Sequence, residues 1–329
     1  MNKAVPSRAS KKNSVLLADG SVLQVRHKSG WQKIRQDWQL YTFLLLPLLF
    51  FAIFKYIPML GNVIAFRRYR IGDGIFGSGP LTLRYFEQFI NQDAFWHVFW
   101  NNVIIGLSTF AFTFPLPIIL ALLLNEVKNA RFKKLVQSIS YMPHFLSVVI
   151  IVGIVMELTA SGGVMNQLLQ AIIPGATPIM QNPDAVRPIY IISEIWQTTG
   201  WGTILYLAAL TQIDDQLYEA ARIDGANRWK QTLYITIPGI RHTMVVLLTL
   251  NIGTFLAVGF EKLLLLIQGN GLYMAQGDVI STYVYRVGLA SPTMYSLGAA
   301  IGLFESVIGL ALVFGTNALS RRLVGSSLW

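Results

Sequence analysis

The sequence predicts an all-α integral membrane protein built as a bundle of six transmembrane helices. Three observations carry this. Hydrophobic residues make up 53% of the 329 residues and charged residues only 13%, about half the charged share of an ordinary soluble domain. The apolar residues gather into runs long enough to cross a bilayer, roughly 20 residues each. The basic residues lie mostly between those runs, on alternate sides, as membrane topology requires.

Residues 1–38 form a polar tail that holds Lys3, Arg8, Lys11, Lys12, Arg26, Lys28, Lys33 and Arg35. No small-residue cleavage site follows the first apolar run, so the tail reads as a retained cytoplasmic extension, largely without regular structure, and not as a cleaved signal. The membrane domain covers 39–320. Its spans are expected at Leu40–Met59, Val98–Leu124, Tyr141–Ala160, Ile189–Leu210, Met244–Ile267 and Leu297–Leu319. Residues 321–329 form a short end. With both termini inside, eighteen basic residues fall on the inner side and six on the outer, and Lys55 and Lys262 lie in or beside spans. This bias fixes the expected orientation. The Arg67, Arg68 and Arg70 cluster runs against it and is assigned to an outer surface segment that meets a soluble partner.

The net charge of +10 follows from the inner loops, so no nucleic-acid partner is expected. Cysteine is absent, which excludes disulfides, thiolate metal sites and a cysteine nucleophile. The four histidines, His27, His97, His144 and His242, lack metal-ligand spacing, and no metal site is expected. Pro47, Pro115 and Pro117, with Gly153, Gly200, Gly202, Gly253, Gly259, Gly298, Gly302 and Gly309, fall in the spans. Small residues there allow close helix approach, and proline kinks are tolerated.

The inner loop at 212–241 is the most informative stretch. Asp214 or Asp215 is placed to cap a helix, Leu217–Asp224 is rich in helix formers, and Gly225 suits a left-handed stop. A second helix is expected from about Asn227 to Ile235, ending before Pro238. Adjacent Ala220 and Ala221 make a thin face able to slot into another protein's groove, and Glu219 adds an anion for a partner's arginine. An ordinary surface helix-turn would show the same composition, so these features alone do not decide between docking and solvation.

These residues resemble the cytoplasmic signature of the permease subunits of binding-protein-dependent type I ABC importers. That pattern is Glu-Ala-Ala, three residues, Gly, nine residues, Ile-x-Leu-Pro. Here it reads Glu219, Ala220, Ala221, Gly225, Ile235, Ile237 and Pro238, with Ile237 in place of leucine. Phe54–Met59, Leu124–Val127, Tyr141–Ser147, Gly200–Thr203, Thr282–Arg286 and the Gly-Ser-Ser-Leu-Trp ending are similar to the polysaccharide and lipo-oligosaccharide branch of carbohydrate permeases. The likeness spans about 38 to 329.

The resemblance implies a subunit that forms half of the pathway for a sugar or oligosaccharide in a bacterial plasma membrane. Its implied partners are a second homologous permease subunit, a dimer of ABC ATPases and an external solute-binding protein. It implies that Glu219, Ala220, Ala221, Asp224, Gly225, Ile235 and Pro238 couple the chain to the ATPase. No cofactor is expected on this chain. ATP and Mg belong to the partner ATPase, because no Gly-Lys dipeptide, and hence no phosphate-cradling Walker loop, occurs in the sequence. The chain is expected to be a non-catalytic transport subunit.

Charges inside spans are costly and usually functional. Glu157, Glu194, Glu261, Lys262 and Glu305 are of this kind. Glu194, Glu261 and Glu305, with the aromatic Trp201, Tyr206, Phe260 and Phe304, are the candidates for the substrate pathway. Inter-helix hydrogen bonding and core packing remain open for each. Three alternatives stand beside the main reading. An ion-coupled secondary transporter would use the same carboxylates, although no internal repeat supports it. The others are an ABC permease for a non-sugar solute and a non-transporting scaffold.

Overall fold

The computed structural model describes residues 14–16, 22–24, 35–70, 72, 74–76, 79–253, 255–256, 258–289 and 294–324. The tail residues Lys3, Arg8, Lys11, Lys12, Arg26, Lys28 and Lys33 lie outside these, as does the ending at 325–329. Met1–Gly61 and Asn62–Trp329 are separate compact units.

In the first unit, β1 (Ser14–Leu16) pairs antiparallel with β2 (Val22–Gln24), Val15 opposite Leu23. This two-stranded ladder lies in the tail, most of which is outside the described residues. Its sequence cue is a pair of short apolar runs flanking Asp19-Gly20. Helix α1 (Trp38–Phe51) passes through a π turn (Ala52–Tyr56) into α2 (Ile57–Leu60). Residues 35–60 are exposed all round, as suits a helix that is apolar on every face and solvated by lipid.

The second unit contains α3 (Arg84–Ile90), α4 (Asp93–Thr113), α5 (Pro115–Glu126), α6 (Ala130–Tyr141), α7 (Val148–Thr159) and α8 (Val164–Ile172). Then come α9 (Val186–Leu210), α10 (Asp215–Ile223), α11 (Arg228–Gln231), α12 (Ile237–Gly253), α13 (Phe260–Gly269), α14 (Met274–Gly277), α15 (Ile280–Val284) and α16 (Tyr295–Val324). Helix α9 is the axis of the unit, packing on α4, α5, α6 and α12. Its 25 residues span about 37 Å at 1.5 Å per residue. Glycine permits two of these contacts: an added Cβ at Gly200 would lie 2.0 Å from the Ser140 carbonyl oxygen, and one at Gly202 would lie 3.0 Å from the Pro117 ring. Apolar clusters mark both ends of α9. Val186 and Tyr190 pack with Val258, Leu263 and Leu266 at one end, and Tyr206 and Leu210 pack with Ile118 and Ile240 at the other.

The all-helical membrane class holds, while several span boundaries shift. Among the described residues five stretches are long and apolar enough to cross a membrane: Trp38–Phe66, Asp93–Glu126, Val148–Ile172, Arg228–Gly253 and Tyr295–Arg322. The expected fourth span is α9, long enough but less apolar, because Ser193, Glu194, Gln197, Thr198 and Thr199 interrupt it. A helix covered by protein does not need a lipid-like surface. The third span starts at Val148, because Tyr141 closes α6 and residues 142–145 form a 3-10 turn around Pro143. The expected fifth span at Met244–Ile267 is split. Helix α12 ends at Gly253 and α13 begins at Phe260.

Pro238 also does not end the second loop helix as expected. Helix α11 continues through a π turn (Thr232–Thr236) into α12, with Pro238 second in the new helix. Pro58 follows the π turn Ala52–Tyr56 in the same way. Proline lacks an N–H and its ring crowds the carbonyl four residues back. The wider π turn moves that carbonyl aside, so the helix carries on.

The arginine cluster near the first span is tied to the start of α16. Ser296 Oγ donates to the Arg67 carbonyl (2.7 Å) and accepts from the Tyr69 N–H (3.0 Å). Arg67 Nη1 donates to the Phe76 carbonyl at 2.8 Å.

Candidate coupling hairpin and candidate pathway cavity

Helices α10 and α11 form a hairpin at the Leu210 end of α9. Asp214 starts α10 by accepting from the Gln216 N–H at 2.9 Å, and Asn227 starts α11 by accepting from the Lys230 N–H at 2.9 Å. Gly225, at φ +74°, turns the chain between them. The Ala226 N–H reaches back to the Ala221 carbonyl (2.8 Å) and the Gly225 N–H to the Arg222 carbonyl (3.1 Å), so the turn satisfies carbonyls that a helix end leaves open.

The hairpin is braced from behind. The Tyr218 and Thr236 hydroxyls are 3.0 Å apart and Gln231 Nε2 donates to the Ala226 carbonyl at 2.8 Å. Ile213 lies so close to Gly239 that an added Cβ would sit 2.7 Å from its Cδ1. Arg228 pairs with Glu126 on α5 at 3.1 Å. The outer face is open: Glu219, Ala220 and Asp224 are exposed and Ala221 is half-buried. Large apolar groups stand in solvent beside them, with Ile223 87%, Tyr234 77% and Trp229 69% exposed. These side chains form an exposed apolar group on the outer face of the braced hairpin. Ile235 is half-buried and Pro238 exposed at the root of the hairpin.

Between α4, α5, α9 and the gap from α12 to α13 lies a cavity of about 430 Å³, within the usual size range of small-ligand sites. The broken helix forms one wall, through Phe255, Val258 and Gly259. Breaking a helix at membrane depth frees backbone groups, which is tolerated only where they find partners or line a polar cavity. Here side chains supply the partners. Asn102 Nδ2 donates to the Leu256 carbonyl at 2.9 Å, and the Tyr190 hydroxyl accepts from the Gly259 N–H at 2.9 Å. His144 and Trp201 stack at the cavity, with ring planes 3° apart and centroids 4.5 Å apart. The Thr109 hydroxyl and His144 Nδ1, on lining residues, are buried without a hydrogen-bond partner in the protein.

Glu194 is the carboxylate of this wall, and Lys262 of α13 lies behind it. Lys262 Nζ is 2.5 Å from Glu194 Oε1 and donates to Gln197 Oε1 at 2.7 Å. The lysine side chain is 3% exposed and the glutamate 19%.

At the Val186 end of α9 a second polar network closes the unit. Arg187 Nη2 donates to Asn101 Oδ1 (2.7 Å), Asn101 Nδ2 donates to the Ala275 and Asp278 carbonyls, and Arg286 pairs with the Asp278 carboxylate. Burial raises the Asp278 carboxyl above its ordinary range, opposed by hydrogen bonding from Thr282 and by the Arg286 charge.

The sequence candidates therefore separate. Glu194, Trp201 and Tyr206 line the first cavity together. Phe260 and Glu305 line a different one of about 600 Å³ with Ser281 and Ser306. Phe304 lines neither and packs on Phe89 and Phe95, at 5.4 and 5.8 Å between centroids. Glu261 is exposed; as the neighbour of buried Lys262 on a helix it must point another way. His144 and Asn102 join the site only in three dimensions, as does the pairing of Lys262, an expected in-span charge, with Glu194, and the use of the hydroxyl of Tyr190, a span-four aromatic, as a backbone acceptor. The signals for them were a lysine inside an apolar run and two adjacent asparagines, Asn101 and Asn102, in another.

Comparison with known proteins agrees with this architecture. The chain is 40% identical to Protein LplB of Bacillus subtilis (strain 168) over 306 residues, covering 92% of this chain and 95% of that protein. It is 41% identical to the polygalacturonan/rhamnogalacturonan transport system permease protein YteP of the same organism, covering 88% of this chain and 90% of that one. Among solved structures it is similar to a chain of a bacterial alginate ABC transporter in complex with an alginate pentasaccharide-bound periplasmic protein. That match has a TM-score of 0.82 at 37% identity and covers 92% of this chain and all of that one. Residues 113–325 match the family described as binding-protein-dependent transport system inner membrane component, and the chain belongs to that family, as a membrane-spanning subunit of an ABC importer.

Proposed function

We propose that this subunit forms half of a translocation pathway for a sugar oligomer and takes its energy from a separate ATPase that grips α10. The observation that carries the reading is the braced hairpin, whose outer face offers Glu219, Ala220, Ala221, Asp224 and Gly225 beside exposed Ile223 and Trp229. The hairpin is a rigid strut, continuous through Ile235 and Pro238 with α12 and packed by Ile213 at its base. Movement of a gripped strut passes to the spans as a rigid-body displacement. The hairpin end faces the cytoplasm in this reading, with both termini on that side, which agrees with the distribution of basic residues.

The partners are a second permease subunit, an ATPase dimer that holds ATP and Mg, and an external solute-binding protein. Glu194, Trp201 and Tyr206 belong to the pathway. A sugar needs an aromatic face and hydrogen-bonding groups it can reach. Trp201, stacked on His144 and 44% exposed, supplies the first, and the Glu194 carboxylate on the cavity wall supplies the second. Similarity to a polygalacturonan/rhamnogalacturonan transport system permease and to a chain of an alginate ABC transporter supports an oligosaccharide as the solute.

The test is Ala221→Trp in the complete transporter. The indole fills the thin face of α10, so the ATPase subunit should no longer co-purify and ATP-driven uptake should stop, while the chain still inserts in the membrane. Normal co-purification and uptake in this variant would sink the proposal.

A further inference from the structure

We propose that Lys262 sets the charge class that the pathway accepts: held behind Glu194, it cancels the carboxylate at the cavity wall and keeps the route open to anionic oligosaccharides. The inference rests on the assignment of the cavity as the sugar pathway made above.

Among the described residues that line the cavity, Glu194 is the sole carboxylate, and no lysine or arginine is present. The rest of the wall is aromatic, aliphatic, hydroxyl, amide and imidazole. A bare glutamate there would make the wall an anion, in a place where the surrounding low dielectric leaves charges poorly screened. An acidic saccharide would then meet repulsion at this wall.

Lys262 removes that charge without itself entering the lining. Its ammonium lies 2.5 Å from Glu194 Oε1, 2.7 Å from Gln197 Oε1 and 5.8 Å from the centre of the Tyr190 ring. Its side chain is buried, whereas Glu194 keeps access to the cavity. The arrangement is asymmetric: the carboxylate is free to accept sugar hydroxyls, while the cation is screened from them and serves as fixed counter-charge. Glu261, the neighbouring residue, is exposed and does not share this lysine.

The two single substitutions push the wall in opposite directions. Lys262→Gln leaves the Glu194 carboxylate uncompensated, whereas Glu194→Gln leaves the lysine cation uncompensated. Glu194→Gln with Lys262→Gln makes a neutral wall again.

The experiment uses the complete transporter with its binding protein in proteoliposomes. The probes are trigalacturonate and the same trimer with its carboxylates methyl-esterified, and the readout is the ratio of acid to ester uptake in each preparation. A ratio within one preparation is independent of how much protein assembles. Lys262→Gln should lower the ratio about ten-fold, the size expected for one extra unit charge several ångströms from the solute at an intermediate effective dielectric. Glu194→Gln should raise it, and the double variant should return to the wild-type value. A ratio unchanged in both single variants overturns the inference, and either variant suffices if the other fails to assemble. ATP-driven uptake of neither trimer by wild type would instead remove the pathway assignment beneath it.

Discussion

Gly225 is the position where the coupling hairpin is most open to a quantitative test. Its φ of +74° lies in the left-handed region, and an added Cβ would meet nothing within 4 Å. The cost of Gly225→Ala is therefore purely conformational, about 1–2 kcal/mol. That energy falls on one local structure, the turn in which the Ala226 N–H bonds to the Ala221 carbonyl at 2.8 Å. A shift of that size changes the ratio of ordered to frayed turn by about 5–30-fold. Asparagine tolerates the left-handed region better than alanine, and a β-branched side chain tolerates it worse. The expected order of uptake per assembled transporter is thus Gly, then Gly225→Asn, then Gly225→Ala, then Gly225→Val. The thermal midpoint of the detergent-purified chain should change little across the series, because the hairpin lies outside the packed bundle. The assay is ATP-driven uptake in proteoliposomes normalised to co-purified ATPase. Wild-type uptake by Gly225→Val, or a poorer result for Asn than for Val, would refute the argument that the left-handed turn holds the strut.

Two further outcomes test the bundle. Gly200→Ala would drive a Cβ to 2.0 Å from the Ser140 carbonyl oxygen, a backbone atom that no rotamer change can move. It should lower stability by at least about 1–3 kcal/mol, read as a lower melting temperature in detergent, whereas Gly153→Ala, with nothing within 4 Å, should not. Tyr190→Phe removes the acceptor of the Gly259 N–H and leaves a backbone donor unpaired at the helix break, costing about 1–3 kcal/mol. Its melting temperature should fall and uptake should drop with it, and an unchanged melting temperature would show that the break is satisfied in another way.

Much of this molecule was legible in the sequence because the governing forces act locally. The hairpin caps at Asp214 and Asn227 and the stop at Gly225 are where residue chemistry puts them, since each depends on a backbone N–H or a φ angle within three residues. The errors share a cause. Pro238 reads as a terminator because the π turn before it leaves no mark in composition, and Met244–Ile267 reads as one span because its break has no helix-breaking cluster strong enough to interrupt an apolar run. Helix α9 was assigned correctly as a helix, but its polar residues place it below the apolarity of the lipid-facing stretches, because its neighbours, not lipid, cover it.

The sequence alone determined the apolar segments, the bias of basic residues and the signature hairpin, all properties summed over neighbours along the chain. Tertiary structure alone decided which polar groups meet. Lys262 finds Gln197 across 65 residues, and Asn102 finds Leu256 across 154. Such pairings depend on how helices cross and where one of them breaks, and they are fixed by the need to satisfy every buried charge and backbone group in a medium that supplies no water.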